Sequence, residues 1–295
     1  MTVVFVHGGV SGTPSDGSTD LSGAVRAGGA APTALDAVER AVQALEDEPG
    51  LNAGFGSVLH RDGGIELDAG IADGFSSRGA GVANVDLTHP ISLARIVLEQ
   101  TPHVIVTGDG AQLLGDEHRL DRLVRSTDEQ HQRWERANNE GALDLESYAR
   151  PEHVDTVGAV ALDSQGRLAA GSSTGGVFGK LRGRVGDAPV FGAGFYADQA
   201  VAVVGTGVGE AFLLTLACRQ VADLVERGAD VEDACAEVIG RIQKRAPGAG
   251  SEGSAAIVPA GLLALGRDGD HGAVFSGASW QVEGPEGPVE VRRLD

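Results

Sequence analysis

The chain has 295 residues, of which 42% are hydrophobic, and its formal net charge is −19 at pH 7. This length allows one large domain or two small ones with a substantial core. The negative charge argues against nucleic acids and anionic membranes as partners. The sequence lacks both a long apolar run and the charged start of a signal peptide, so it predicts a cytoplasmic protein.

The basic residues and the cysteines describe the protein's environment. Only Lys180 and Lys244 of the 23 basic residues are lysine. An acidic, lysine-poor surface is typical of proteins in high salt, but a GC-rich genome that favours arginine codons produces the same composition. Cys218 and Cys235, the only two cysteines, lie in predicted helices, and we expect them to be buried free thiols.

The first half of the chain alternates apolar periodicities with glycine-rich turns. Its predicted elements are a strand at 2–6 ending at Gly8-Gly9, a helix from Pro32-Thr33 to residues 46–49, a hairpin around a turn at 60–64, a strand pair over 78–85, a helix at 90–99 and a buried strand at 103–107. The segment Gly108-Asp109-Gly110 resembles a dinucleotide-binding turn, but the next glycine, Gly115, comes too late for that fingerprint.

Charged residues then dominate residues 115–155, which predict a solvated helix followed by a mobile linker. Patterned sequence returns abruptly after the linker. The predicted elements there are a hairpin of 157–163 and 167–172, a strand at 200–204, helices at 210–227 and 231–244, and strands at 255–266 and 272–275. This order predicts two layers of β-sheet with helices outside.

A threonine begins the strand that follows this linker, in the segment Asp-Thr-Val-Gly-Ala-Val-Ala-Leu-Asp of residues 155–163. A threonine hydroxyl needs a base to act as a nucleophile. If the chain were cut between Asp155 and Thr156, the new α-amine, with a reference pKa of about 7.7–8.0, could serve as that base. From the residues alone, the alternative is an ordinary β-branched residue at the start of a strand.

Several segments, in this order and spacing, resemble the isoaspartyl peptidase/L-asparaginase family, the plant-type asparaginases among the N-terminal-nucleophile hydrolases. They are His7-Gly8-Gly9, residues 51–59, Asp68-Ala69, Asp73-Gly74, residues 155–163, 172–176 (Ser-Ser-Thr-Gly-Gly), 183–189 (Gly-Arg-Val-Gly-Asp-Ala-Pro), 192–198 and 205–210 (Gly-Thr-Gly-Val-Gly-Glu). The resemblance implies a single α/β domain with a four-layer αββα sandwich. It also implies self-cleavage into residues 1–155 and 156–295, and a homodimer of the processed pairs.

The resemblance implies that the enzyme hydrolyses L-asparagine to L-aspartate and ammonia and cleaves β-aspartyl dipeptides. The implied roles are Thr156 as nucleophile, Thr174 as its hydrogen-bonding neighbour, Asn52 as a nearby asparagine, Arg184 and Asp187 as the grip on the amino-acid head, and Thr206 and Gly207 as the oxyanion hole. The chemistry is reasonable, since a guanidinium can hold a carboxylate in a fork and a carboxylate can hold an ammonium. Without the family, an exposed Arg–Asp pair and ordinary turn residues would be the default interpretation.

Some features depart from the family pattern and leave alternatives open. Asp155 stands where these asparaginases commonly have glycine, and it resembles the related glycosylasparaginases, as do residues 169–174. Residues 276–280, Ser-Gly-Ala-Ser-Trp, replace the usual ending. The alternatives are therefore a glycosylasparaginase and a non-maturing amino-acid-binding protein. No cofactor is implied, and no side-chain metal site is expected; the family often binds sodium through backbone carbonyls, here in the loop Glu48 to Phe55.

Overall fold

The computed structural model describes residues 2–11, 19–143, 156–245 and 257–294. The strands are β1 (Val3–Ser11), β2 (Leu67–Asp73), β3 (Arg78–Val85), β4 (Ile105–Thr107), β5 (Val157–Leu162), β6 (Leu168–Thr174), β7 (Phe195–Ala197), β8 (Val201–Gly207), β9 (Ala260–Gly266), β10 (His271–Ser276), β11 (Ser279–Gly284), β12 (Gly287–Pro288) and β13 (Arg292–Arg293). The helices are α1 (Ser22–Gly29), α2 (Ala34–Glu46), α3 (Pro90–Gln100), α4 (Gly108–Glu117), α5 (Asp128–Asn139), α6 (Gly209–Thr215), α7 (Ala217–Glu226) and α8 (Val231–Arg245).

The strands form two stacked sheets with helices on both outer faces. The larger sheet has the order β12-β11-β1-β5-β6-β2-β3-β4, and the smaller has the order β13-β10-β9-β8-β7. Buried apolar residues fall into three clusters: between α1–α4 and the larger sheet, between the two sheets, and between the smaller sheet and α6–α8. Three apolar interfaces require four layers, which confirms the predicted αββα sandwich.

Strand β5 lies near the middle of the larger sheet, between antiparallel neighbours β1 and β6. Its residues Val157, Ala159 and Ala161 face the helices, whereas Val160 faces the smaller sheet. Because side chains alternate along a strand, Thr156 faces the smaller sheet together with Val160. The fold therefore directs the predicted nucleophile into the space between the sheets, at one end of β5.

The local sequence signals predicted most of the first half correctly. Thr33 caps α2, its hydroxyl accepting from the N–H of Asp36 at 3.2 Å. Four expectations were wrong. Strand β1 continues through Gly8-Gly9 to Ser11, with an irregularity in its pairing. The turn at 60–64 does not join a hairpin, because β2 begins only at Leu67 and pairs with β3 and β6. Residues 78–85 form the single strand β3 and not a strand pair. The strand expected to be buried at 103–107 is β4, an exposed edge.

The second half differs from expectation mainly at its helices and its end. The helix expected over 210–227 is broken at Leu216, whose φ of 49° lies in the left-handed region, so α6 and α7 are separate. Strand β11 begins within the Ser-Gly-Ala-Ser-Trp segment, at Ser279, and was not anticipated. Helix α5 has no buried residues, as expected of a solvated helix, and both cysteines are buried free thiols. Among the helices that the structure describes, none has the length and apolarity to cross a bilayer.

Candidate active site

Thr156 is the first described residue after position 143, and it lies at the head of β5. It is buried, with 5% of its surface exposed. Its backbone nitrogen donates to Oγ1 of Thr206 at 3.3 Å. Thr156 belongs to the larger sheet and Thr206 to β8 of the smaller one, so the site bridges the two sheets. Asp155 and the predicted scissile bond lie outside the described residues.

Thr174 ends β6, the strand next to Thr156. The register pairs Val157 with Ser173, so one further step places Thr156 opposite Thr174 on the same face. Oγ1 of Thr174 accepts a hydrogen bond from the N–H of Gly176 at 2.9 Å. With its oxygen engaged in this way, the hydroxyl hydrogen is available to donate towards its neighbour. The strand pairing thus brings the two predicted threonines together.

Thr206 and Gly207 form the end of β8. Oγ1 of Thr206 accepts from two backbone nitrogens, those of Val10 and Thr156, each at 3.3 Å. Gly207 has a φ of 145°, and a Cβ there would lie 2.5 Å from the carbonyl oxygen of Pro259. Only glycine fits this backbone, because any side chain would clash with Pro259. Their predicted role as an oxyanion hole remains a prediction, although Thr206 does touch the predicted nucleophile.

Arg184 and Asp187 meet beside the start of α6. The point where a Cβ on Gly209 would lie is 2.8 Å from Oδ1 of Asp187 and 2.9 Å from Nη2 of Arg184. Gly209 comes only three residues after Thr206 in the chain, so this pair lies close to the nucleophile's contact. The two charges that were predicted to grip an amino-acid head are therefore adjacent.

The two members of this pair differ in their surroundings. The guanidinium of Arg184 is held by Glu210, with Nε and Nη2 donating to its carboxylate at 2.8–3.0 Å. Asp187 is 3% exposed, and its Oδ2 has no hydrogen-bond partner among the residues that the structure describes. Burial raises the pKa of Asp187 to about 7, against the opposing effect of the Arg184 charge. An under-bonded buried carboxylate of this kind is suited to accept a cationic group from a ligand.

Asn52 is linked to the site through the turn after β6. Its Nδ2 donates to the carbonyl of Gly176 at 2.7 Å, and its own carbonyl accepts from the N–H of Gly175 at 2.9 Å. Its Oδ1 accepts from the N–H of Val58 at 3.0 Å. These bonds fix the turn that follows Thr174, so Asn52 is linked through the backbone to the predicted neighbour of the nucleophile.

Four further residues near the site had been given no role from the sequence. His7 is buried beside β5, and burial lowers its pKa to about 3, so the imidazole is neutral. Glu210 holds Arg184, as described above. Asp68 on β2 pairs in register with Thr174, and Lys180 is fully buried. His7, Asp68 and Glu210 lay within recognised motifs, so motif membership was the only signal; for Lys180 it was the rarity of lysine.

No group of three or more histidine, cysteine, aspartate or glutamate side chains that could hold a metal ion occurs among the residues that the structure describes. The site's resources are threonine hydroxyls, a buried carboxylate, a guanidinium and backbone N–H groups. That set suits acyl transfer at a carbonyl of a small molecule with an amino-acid head.

Comparison with known proteins agrees with this geometry. A family model described as asparaginase matches residues 6–279. The isoaspartyl peptidase of Escherichia coli (strain K12) is 40% identical over 254 residues, covering 83% of this chain and 76% of the relative. The human isoaspartyl peptidase/L-asparaginase is 37% identical, covering 94% and 91%. The plant-type L-asparaginase of Pyrobaculum calidifontis is 39% identical, covering 83% and 87%. The chain therefore belongs to the asparaginase family of isoaspartyl peptidases and plant-type L-asparaginases.

Proposed function

We propose that this protein is a self-processing amidohydrolase that converts L-asparagine to L-aspartate and ammonia and cleaves β-aspartyl dipeptides. The observation that carries the proposal is the contact between Thr156 and Thr206. Thr206 lies three residues before Gly209, the glycine beside which Arg184 and Asp187 meet. That arrangement supports a nucleophile at a fixed distance from an amino-acid grip. Both substrate classes share the free aspartyl head and differ only beyond the scissile amide.

Maturation comes first in the proposed sequence. Oγ of Thr156 attacks the carbonyl carbon of Asp155, the C–N bond breaks, and the nitrogen takes up the hydroxyl proton. The acyl group then sits on the threonine oxygen as an ester, and water hydrolyses it to release residues 1–155. The hydrogen bond from the Thr156 nitrogen to Thr206 supports this step, because it orients the group that leaves.

Substrate hydrolysis repeats the same chemistry on an external amide. Arg184 binds the substrate carboxylate, and Asp187 binds its ammonium. The free amine of Thr156 takes the proton from Oγ as Oγ attacks the side-chain carbonyl. Thr206 and the N–H of Gly207 stabilise the oxyanion, the proton passes to the leaving amine, and ammonia or an amino acid departs. Water activated by the same amine hydrolyses the aspartyl ester and restores Thr156.

A structural sodium ion is a further part of the proposal, and the loop from Glu48 to Phe55 would hold it. The carbonyl oxygens of Glu48, Pro49 and Leu51 lie 2.9, 2.7 and 2.1 Å from the point that a Cβ on Gly56 would occupy. Such a concentration of carbonyl oxygens fits a hard cation. When bound, the ion would neutralise these dipoles and stiffen the loop that carries Asn52. Thermal unfolding in NaCl against choline chloride tests it, with higher stability expected in sodium.

We also propose that the mature enzyme is a cytoplasmic homodimer of processed pairs. The two buried free thiols support a reducing compartment. The dimer rests on the family alone, and sedimentation of the processed protein tests it.

Intact mass after incubation, with Thr156→Ala as the control, tests the proposed function. Fragments 1–155 and 156–295 in the wild type, absent from the variant, would support self-processing. Assays with asparagine, a β-aspartyl dipeptide and glycosylated asparagine follow on the processed protein. Cleavage of the glycosylated substrate alone would replace the proposal with a glycosylasparaginase. A permanently uncut protein that still binds aspartate would indicate a binding protein.

A further inference from the structure

Lys180 stands out because the chain almost avoids lysine and yet buries one beside the site. Only two of the 23 basic residues are lysine. The side chain of Lys180 is completely buried, whereas Lys244 in α8 is exposed. Burying a charge is costly unless it is compensated, so such a residue at an active site needs a local partner or a function.

The side chain of Lys180 lies directly against the turn that follows β6. A Cβ on Gly176 would be 2.9 Å from Cδ and 3.0 Å from Nζ of Lys180. Gly176 also donates to Thr174 and accepts from Asn52. Thr174, Asn52 and Lys180 therefore all contact this turn, and of these three residues only Lys180 is charged. Any shift of Gly176 would be transmitted to the hydroxyl of Thr174 through their 2.9 Å hydrogen bond.

The ammonium group of Lys180 is placed among alternating charges. Its Nζ donates to the backbone carbonyl of Glu66 at 2.7 Å. Burial lowers its pKa, and among nearby charges Asp68 opposes that effect most, followed by Glu66, while Arg184 reinforces it. Burial lowers the pKa of His60, and the charge of Lys180 adds to that effect. Asp68 lies on β2, Glu66 and His60 lie in the loop before β2, and Arg184 lies in the loop between β6 and β7.

Asp68 is the buried carboxylate whose charge most favours the protonated form of Lys180. It is fully buried on β2, directly opposite Thr174 in the register. Its Oδ1 accepts from the N–H of Asn84 at 2.9 Å, whereas Oδ2 has no hydrogen-bond partner within the described part of the chain. Burial raises the pKa of Asp68, and Lys180 is the strongest opposing influence. Asp68, Thr174 and Thr156 thus form a row across three neighbouring strands. Lys180 lies against the turn that follows Thr174 and donates to the carbonyl of Glu66, two residues before Asp68.

We propose that Lys180 is a positioning residue, whose ammonium balances the carboxylate of Asp68 and holds the Thr174–Gly176 turn so that Thr174 stays aligned with Thr156. A lysine suits this place better than an arginine, because a compact ammonium on a flexible stem fits against Gly176 and a planar guanidinium would not. The catalytic part of this inference rests on the proposed function. The pairing with Asp68 does not.

Lys180→Met tests the catalytic part, since it removes the charge and keeps an unbranched side chain. We expect kcat to fall about 100-fold, the loss that a small misplacement of a catalytic group produces. KM should change much less, because the residues that grip the substrate remain. Lys244→Met is the matched control and should leave both constants unchanged. A Lys180→Met enzyme with wild-type kcat, or full rescue by Lys180→Arg, would overturn the positioning role.

Lysine-selective isotope labelling tests the pairing without any substrate. The chain should give two lysine side-chain signals in the NMR spectrum, and Lys180→Met assigns them. We expect Lys180 to titrate below the ordinary range of a lysine, because it is buried. Asp68→Asn should move its midpoint lower still, because a compensating negative charge is lost. A midpoint that does not respond to Asp68→Asn would overturn the pairing.

A double-mutant cycle separates pairing from simple packing, and it covers the case in which one single variant folds poorly. Unfolding free energies are measured for Lys180→Met, Asp68→Asn and the double variant, all in the uncut Thr156→Ala background. We expect the double variant to be more stable than the sum of the two losses predicts, because it leaves no buried charge unpaired. Additive losses would overturn the pairing. If the wild type neither cleaves itself nor hydrolyses a substrate, the proposed function fails, but this cycle still decides the pairing.

Discussion

Asp187→Asn should stabilise the folded protein above neutral pH while it weakens substrate binding. Asp187 is buried, and one of its oxygens has no hydrogen-bond partner among the described residues. Its ionised form is therefore poorly compensated in the absence of substrate, despite the nearby Arg184. Asparagine has nearly the same shape but no charge, so it removes the cost of burying the carboxylate.

The size of the effect follows from the pKa. Burial raises the pKa of Asp187 from 3.8 to about 7. Below pH 3.8 the carboxyl is protonated in both folded and unfolded states, so its contribution to stability is greatest there. Between pH 3.8 and about 7 the unfolded state loses the proton first, and the wild type loses about 1.4 kcal/mol per pH unit. Above this window the accumulated penalty is about 4 kcal/mol, and the asparagine variant avoids it.

The assay is urea unfolding of the Thr156→Ala protein, with and without Asp187→Asn, at pH values from 4 to 8. The uncut background keeps one continuous chain, so that both variants unfold from comparable states. We expect the stability difference in favour of the variant to be small at pH 4 and to grow steadily to pH 7. Asp268→Asn, at an exposed turn, is the control and should show no such growth. In the processed enzyme, Asp187→Asn should raise KM about 30-fold or more, because it leaves the substrate ammonium without its partner.

A pH-independent difference between the two proteins would refute this reasoning. It would mean that Arg184 fully compensates Asp187 and that the carboxylate is ionised throughout. A large rise in KM without any gain in stability would also separate the two halves of the argument, because binding would then depend on Asp187 without a cost to folding.

Three other changes test neighbouring parts of the structure. Glu210→Gln removes the carboxylate that holds Arg184, so KM should rise about 10-fold while kcat changes less. Steady-state kinetics measures both constants, and an unchanged KM would show that Arg184 needs no support from Glu210. Gly207→Ala should destabilise the fold by about 3 kcal/mol because of its backbone angle and the nearby Pro259; wild-type thermal stability would contradict the geometry. In a KCl series, the strongly acidic chain should gain stability with salt, as screening reduces self-repulsion, and full stability without added salt would exclude adaptation to high salt.

The four-layer architecture was predictable because its signals are local. Thr33 before an apolar periodicity predicted the start of α2, and the hairpin around residues 163–167 was evident from its turn and flanking alternation. One error came from glycine. Gly8-Gly9 was interpreted as the end of a strand, although β1 continues through it and pairs with β11 again at Val10 and Ser11. A pair of glycines ends a strand only when no other strand pairs with the residues beyond it. The strand that pairs there is β11, which lies near the other end of the sequence.

The site was predictable only as far as the motifs extended. Thr156, Thr174 and Thr206 were identified by resemblance. Strand pairing brings Thr156 and Thr174 together, and the stacking of the two sheets adds Thr206. The arrangement of charges was not predictable. Asp68 lies more than a hundred residues before Lys180 and Arg184, and the sequence does not give the path of the loop that carries those two residues. The break at Leu216 was also hidden, because leucine favours helices and nothing local forces it into the left-handed region.

Close approaches of the backbone fix the loop that carries Asp187, part of the proposed substrate grip. A Cβ on Gly81 would lie 1.9 Å from the carbonyl oxygen of Pro189, so the loop after Asp187 rests directly on β3. The hydroxyl of Ser172 donates to the carbonyl of Ala188 at 2.9 Å and ties the same loop to β6. Asp187 is thus fixed to the larger sheet, which also carries Thr156. Thr206 comes from the smaller sheet, so the predicted nucleophile, amino-acid grip and oxyanion donor come together only when the two sheets are stacked. Catalytic competence should therefore require the complete sandwich, and neither fragment of the processed chain should show activity alone.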